Sequence, residues 1–230
     1  MTNKIKIILF DIDDTLYDYQ KHLQMLADKA AFSVLEPKHS EASKLYRKAK
    51  ENLKLLYATK QITHNQFYDR KTRYSILLEL MDIKNKSLAI KMDNAFWKAI
   101  KENIKPFKNS KKVLSDLKKF YTLGVVTNGL KCQQHLKLKN MGLTDFFDYV
   151  FTSEDAGIEK PNKEFFEHVL KKLGAQNHEC ILVGNDPIDD IVGAKSIGMK
   201  TIFYGNKTDL KGITSDYMIN DILQLENILL

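Results

Sequence analysis

Ile5-Lys6-Ile7-Ile8-Leu9-Phe10-Asp11-Ile12-Asp13-Asp14-Thr15 begins as a nearly unbroken apolar run and stops at three carboxylates within four residues. A short Ile-rich run of this kind reads as a strand buried on both faces, as in the centre of a parallel sheet. In open α/β sheets ligands bind outside the carboxyl ends of the strands. Asp11 and Asp13 are therefore expected at the working edge of the sheet, on rigid backbone. Alternate residues of an extended chain point the same way, so both can share one site. Carboxylates that close repel each other, and a divalent cation relieves the repulsion. The plainer alternative is a strand ending in a solvated acidic turn, with Asp14 or Thr15 capping the next element.

Beyond Leu16 the pattern changes. From about 18 to 105 the apolar residues fall at helical spacing and no strand is evident. Leu23, Leu26, Ala30 and Val34 mark the inner face of a first helix, which Pro37 ends. A second helix is expected over 40–58, with Leu45, Ala49, Leu53 and Leu56 inward. Thr63 caps a third that carries Phe67, Tyr74, Leu77 and Leu78. Asn85 or Ser87 opens a fourth through Ile90, Phe96, Trp97 and Ile100. The aromatic residues suit the core of a helical bundle better than a ligand box. Lys105-Pro106 closes the insert. An insert that leaves just past the acidic strand end is expected to lie over the site as a lid.

After Pro106 helices and strands alternate. Helices are expected over 110–120, 131–141, 162–173 and 187–197, and strands over 122–126, 149–151, 180–183, 200–203 and 217–219, before a terminal helix. That alternation gives a doubly wound parallel α/β sheet. The expected domains are an α/β core of 1–16 and 106–230 and a helical cap of 17–105.

Three further strand ends carry polar residues. Val125-Val126 leads into Thr127-Asn128-Gly129, where a hydroxyl and the backbone N–H groups after it suit phosphate oxygens. Lys160-Pro161 precedes a helix and offers a compact positive charge. Gly184-Asn185-Asp186-Pro187 ends another strand. Asp186 followed by Pro187 fits the cap and first position of a helix. That leaves Asn185 on the loop, its side-chain oxygen available to a metal. Asp190, one turn into the helix, faces the same cation directly or through water. Mg²⁺ suits such a site, since it takes a few oxygen ligands and keeps several waters.

Composition narrows the function. Hydrophobic content of 43% and charged content of 28% are ordinary for a globular protein. The net charge of +7 is spread along helical segments, interleaved with Asp and Glu, so no nucleic-acid partner is expected. It can still attract anionic substrates. No signal peptide or membrane span is evident, and the two cysteines, Cys132 and Cys180, lack metal-ligand spacing. A cytoplasmic location is expected.

In order, Asp11-Ile12-Asp13-Asp14-Thr15, Thr127-Asn128-Gly129, Lys160-Pro161 and Gly184-Asn185-Asp186 through Asp190 resemble the four motifs of the haloacid dehalogenase superfamily. The likeness is to its phosphatase-rich branch with a helical cap, and it spans essentially the whole chain. Residues 129–167 are similar to both the 5′-nucleotidase-like and the glyceraldehyde-3-phosphate-phosphatase-like groups. They include Gln133, Leu136, Gly142, Phe146-Phe147-Asp148 and Ser153-Glu154. One departure stands out: the fourth motif usually opens Gly-Asp, and here it is Gly184-Asn185.

The resemblance implies a Mg²⁺-dependent phosphatase acting on a small phosphate monoester, a nucleotide or a sugar or triose phosphate. Asp11 would be the nucleophile that forms an aspartyl phosphate, and Asp13 the general acid and base. Mg²⁺ would lie between Asp11, the Asp13 carbonyl, Asn185 (or its neighbour Asp186) and Asp190. Thr127, Lys160 and the Asn128 amide would hold the remaining phosphate oxygens. A dehalogenase of the same superfamily lacks the second acid, so Asp13 argues against it. A phosphoacceptor signalling module needs a long-lived acyl phosphate, which a hydrolytic acid beside the nucleophile would shorten. The six histidines match no motif of the family, and the oligomeric state stays open.

Overall fold

The computed structural model describes residues 4–230. Six parallel strands form one sheet in the order β3-β2-β1-β4-β5-β6: β1 Ile7–Phe10, β2 Thr122–Thr127, β3 Tyr149–Thr152, β4 Cys180–Gly184, β5 Lys200–Tyr204 and β6 Tyr217–Ile219. The run that opens the sequence is a central strand, and all four of its residues are buried. It pairs with β2 on one side and β4 on the other. The chain fills the sheet on the β2 side first and then crosses to β4. The winding reverses between β1 and β4, and at such a switch point the strand ends leave a crevice.

The chain divides into two compact units, residues 1–18 with 105–230, and residues 19–104. The second is all helical: α1 Gln24–Phe32, α2 His39–Ala58, α3 His64–Tyr68, α4 Arg70–Leu80 and α5 Lys86–Asn103. Three expectations need correction here. The inner face of α1 is not Leu26 and Ala30 but Leu23, Ala27 and Ala31, continuing to Leu35, and Leu26 is 37% exposed. Small alanines at four-residue spacing let α1 lie close against α5, and the larger Leu26 stays outside. The single helix expected after Thr63 is two. Thr63 caps α3 together with Gln66, and then Asp69 turns extended and caps α4 through the Lys71 amide. Ile90, expected inside α5, is 53% exposed, whereas Phe96 and Ile100 are fully buried.

Tyr46, Tyr74 and Phe96 form the aromatic centre of this unit. Arg70 lies among them, its guanidinium 3.5 Å from the Phe96 ring centre. It donates to the hydroxyls of Tyr19 (2.7 Å) and Tyr46 (3.3 Å) and pairs with Asp28 at 3.6 Å.

The sheet is flanked by α6 Ser110–Lys118, α7 Lys131–Met141, α8 Ser153–Ala156, α9 Lys163–Leu173, α10 Gly193–Lys195 and α11 Gln224–Leu229. Gly142 and Gly174 end α7 and α9 in left-handed conformation, as glycine stops should. The segment 187–197, expected to be one α-helix, starts as a π-helical stretch, Pro187–Val192, before α10. Among the described residues no helix is long and apolar enough to cross a membrane.

Candidate active site

The backbone of β1 stays on the sheet one residue past its last strand residue, since the Asp11 amide donates to the Val183 carbonyl at 2.9 Å. The chain then turns. Asp14 takes a left-handed conformation (φ 59°), one that Asp tolerates better than most residues. The Thr15 and Leu16 amides return to the Ile12 carbonyl. This turn separates the two acids and gives each its own cation.

Asp11 faces Lys160. The Lys160 ammonium has three donors and finds three acceptors: Asp11 Oδ1 at 2.9 Å, Asp190 Oδ1 at 2.6 Å and the Val126 carbonyl at 3.1 Å. All three side chains are buried. Asp190 uses its second oxygen to accept the Asp186 amide at 2.9 Å. Its carboxylate presses against the end of β4, where a Cβ on Gly184 would stand 2.4 Å away, so the strand must close on glycine.

Asp13 faces Lys137, whose Nζ is 2.7 Å from both carboxylate oxygens, and it also accepts a hydrogen bond from the Tyr17 hydroxyl on Oδ1. The sequence motifs point to neither partner. A signal for Lys137 existed: it shares the buried face of α7 with Gln134, Leu138 and Met141, and a lysine at that spacing is out of place in a core.

Asp186 caps the π-helical stretch through the Ile188 and Asp189 amides at 2.8 Å, with Pro187 behind it. Asn185 points the other way. Its Oδ1 accepts from the Thr15 hydroxyl at 3.2 Å, and the same hydroxyl lies 3.4 Å from Asp11 Oδ2. Thr127 is buried at the end of β2, its hydroxyl 3.4 Å from the Asn128 carbonyl. Asn128 has a side-chain use that its motif does not announce. Its amide accepts from the Lys160 N–H at 2.9 Å, donates to the Lys160 carbonyl at 3.1 Å and reaches Asp189 at 3.3 Å, which clamps the lysine's peptide in place. Gln134 adds a bond to the Asn128 carbonyl at 2.9 Å, and Ser153 accepts from the Gly129 amide at 2.8 Å.

The electrostatics of the Asp11 centre are those of an anionic hole. Burial drives the Asp11 carboxyl up to about 7, against the pull of Lys160 and with help from Asp190 and Asp13. Burial also raises Asp190, again opposed by Lys160. Burial would pull the Lys160 ammonium down, but Asp11 and Asp190 together outweigh it and hold the charge above its usual range. With both carboxyls ionised the one ammonium leaves a negative charge uncompensated, a state that burial opposes and a cation would favour. Asp11 Oδ2 and Asn185 Oδ1 converge on the same hydroxyl and offer oxygens to a hard cation. Among the described residues no group of three or more His, Cys, Asp or Glu side chains forms a cage. A small oxygen set suits Mg²⁺, which takes a few oxygen ligands and keeps several waters.

Residues 8–204 match the family model for haloacid dehalogenase-like hydrolases. The chain belongs to that family. A glyceraldehyde 3-phosphate phosphatase of Methanothermobacter thermautotrophicus is 34% identical, over 98% of this chain and all of the relative. The pyrimidine 5′-nucleotidase YjjG of Escherichia coli is 26% identical, over 96% of each chain. Among solved structures, the HAD-hydrolase YfnB of Bacillus subtilis bound to magnesium superposes with a TM-score of 0.78 at 25% identity, covering 98% of this chain and 99% of that one. A 2-haloacid dehalogenase of Pseudomonas syringae pv. Tomato DC3000 gives 0.75 at 26%, covering 98% of each. With phosphatases as relatives over nearly its whole length, this hydrolase is an enzyme of the phosphatase type.

Proposed function

We propose that this hydrolase cleaves a small phosphate monoester, a nucleotide or a sugar or triose phosphate, through an aspartyl phosphate on Asp11. The observation that carries the reading is the division of labour between the two acids. Asp11 is tied to Lys160 and Asp190 in the buried centre, whereas Asp13 is tied to Lys137 and Tyr17 and its side chain is 32% exposed. Carboxylates in different environments can take different roles.

In the first half-reaction the Asp11 carboxylate attacks phosphorus and the bond to the leaving oxygen breaks. Asp13 gives that oxygen its proton and becomes a carboxylate. In the second half it takes a proton from water, the resulting hydroxide attacks the acyl phosphate, and Asp11 and inorganic phosphate are released. Lys160, fixed by Asn128, steadies Asp11 and neutralises charge on the oxygens that stay with phosphorus. Thr127 and the Asn128 amide contribute the other donors. Mg²⁺, held by Asp11, the Asp13 carbonyl and Asn185, with Asp190 in support, would offset the repulsion between nucleophile and phosphate. The dehalogenase and signalling readings leave Asp13 without a task.

The test is turnover of p-nitrophenyl phosphate with and without MgCl₂, followed by a panel of nucleoside monophosphates and sugar and triose phosphates. Turnover that requires the metal and extends to at least one natural ester supports the proposal. No turnover of any ester with metal present overturns it.

Asp13→Asn is expected to slow every ester, since the hydrolysis step also needs the base. In kcat/KM, which stops at phosphoryl transfer, the loss should be about 10²–10⁴-fold for an alkyl phosphate and much smaller for p-nitrophenyl phosphate. Equal losses on the two would count against Asp13 as the acid.

Asn185→Asp is expected to lower the Mg²⁺ concentration that gives half-maximal activity, because a charged ligand replaces a neutral one. Asp186→Asn should change it little, as Asn caps a helix as well as Asp does. The opposite pattern in an Mg²⁺ titration would make Asp186 the ligand.

A further inference from the structure

We infer that Lys137 is a positioning residue for the general acid: it fixes the Asp13 carboxylate so that one oxygen, Oδ2, is left to carry the proton. This rests on the phosphatase reading above. A carboxylate offers about four acceptor sites. The Lys137 ammonium takes one on each oxygen at 2.7 Å, and the Tyr17 hydroxyl takes a second on Oδ1. Oδ1 is thereby filled, and Oδ2 keeps its outer lone pair. A proton on Oδ2 does not compete with Tyr17, whereas one on Oδ1 would displace a partner. The geometry selects the atom that exchanges a proton with the leaving group and then with water.

The sequence distance makes this a deliberate contact. Lys137 lies 124 residues from Asp13, on a helix, with only 5% of its surface exposed. Burying an ammonium is costly unless it is paired, and Asp13 is the carboxylate that pairs it. The helix α7 reaches the site twice. Gln134, one turn earlier, holds the Asn128 carbonyl at the end of β2, and Lys137 holds the acid at the end of β1. One rigid element therefore sets the spacing between the phosphate-holding loop and the proton donor. Proton transfer is sensitive to such spacing, because a misplacement of about 1 Å can cost on the order of 10²-fold.

The experiment compares kcat/KM for p-nitrophenyl phosphate and for glycerol 3-phosphate, with MgCl₂, in wild type, Lys137→Met, Lys137→Arg and Tyr17→Phe. Lys137→Met keeps the aliphatic stem and removes the charge. Its expected signature is a loss of about 10²-fold on the alkyl ester with less than about fivefold on the aryl ester. Lys137→Arg, which can grip a carboxylate by two N–H groups, should recover most of the alkyl activity. Tyr17→Phe removes one donor only and should shift the same ratio in the same direction by less, which keeps the test alive if Lys137→Met fails to fold. In the double variant Asp13→Asn/Lys137→Met the lysine substitution should add almost nothing, since it acts through an acid already lost. Equal losses on both esters in Lys137→Met and no change of ratio in Tyr17→Phe overturn the inference while the phosphatase reading stands. If glycerol 3-phosphate is not turned over, an alkyl phosphate of the panel that is takes its place, and a wild type inactive on every ester overturns both.

Discussion

Asp11→Asn is expected to abolish turnover of p-nitrophenyl phosphate, with a loss on the order of 10⁴-fold or more, the scale seen when a covalent nucleophile is removed. An amide cannot form the acyl phosphate, and no neighbour can replace it. Asp190 is the other buried carboxylate on Lys160, but both of its oxygens are engaged, one by Lys160 and one by the Asp186 amide. The fold should survive. Lys160 keeps Asp190 and the Val126 carbonyl, and the Asn oxygen can still accept the third bond. The charge removed comes from a site where burial already disfavours it. The metal-free melting temperature should therefore stay level or rise slightly. Turnover well above the expected residue in a homogeneous preparation, or a melt several degrees lower, would contradict this account.

The strand ends were legible because each is a compositional break. An apolar run stops at Asp11, at Thr127 and at Gly184, and the polar residues after it have few ways to be buried except at a site. The capping argument for Asp186 worked for a similar reason: Asp followed by Pro is a local pattern, and the structure gives it two local amide bonds. What escaped was non-local. Lys137 meets Asp13 across 124 residues, and nothing in the spacing of α7 says which acid it serves. The side chain of Asn128 clamps a peptide 32 residues away, and its motif credits that position only with its backbone. In the helical unit, periodicity found the helices but misplaced the inner face of α1, because small alanines can line a tight helix contact as well as leucines can. It also ran α3 and α4 together, since Asp69 breaks the helix by a side-chain bond that leaves the apolar spacing intact.

Lys160→Met is expected to remove activity and also to cost about 3–5 kcal/mol of stability, the range for breaking a buried ion pair from one side. Methionine roughly fills the space of the stem, so the cost is electrostatic rather than a cavity. Three acceptors lose their donor at once: two buried carboxylates and the carbonyl of Val126. The carboxylates then repel each other with no cation between them, and burial already pushes both of their acids upward even with Lys160 present. Denaturant unfolding without added metal would read the loss. The origin can be separated by a second substitution. Asp190→Asn in the same chain removes one uncompensated charge and should restore part of the stability. In the wild type it should be destabilising, because both Asp190 oxygens accept donors and an Asn must turn its NH₂ toward either the Lys160 ammonium or the Asp186 amide. Stability should thus change sign with context, a coupling between residues in contact. Activity should not return in either case, since the ammonium beside Asp11 is still missing. If Asp190→Asn destabilises both backgrounds equally, the two residues are not coupled, and Lys160 stabilises the fold by some means other than the charges it bridges.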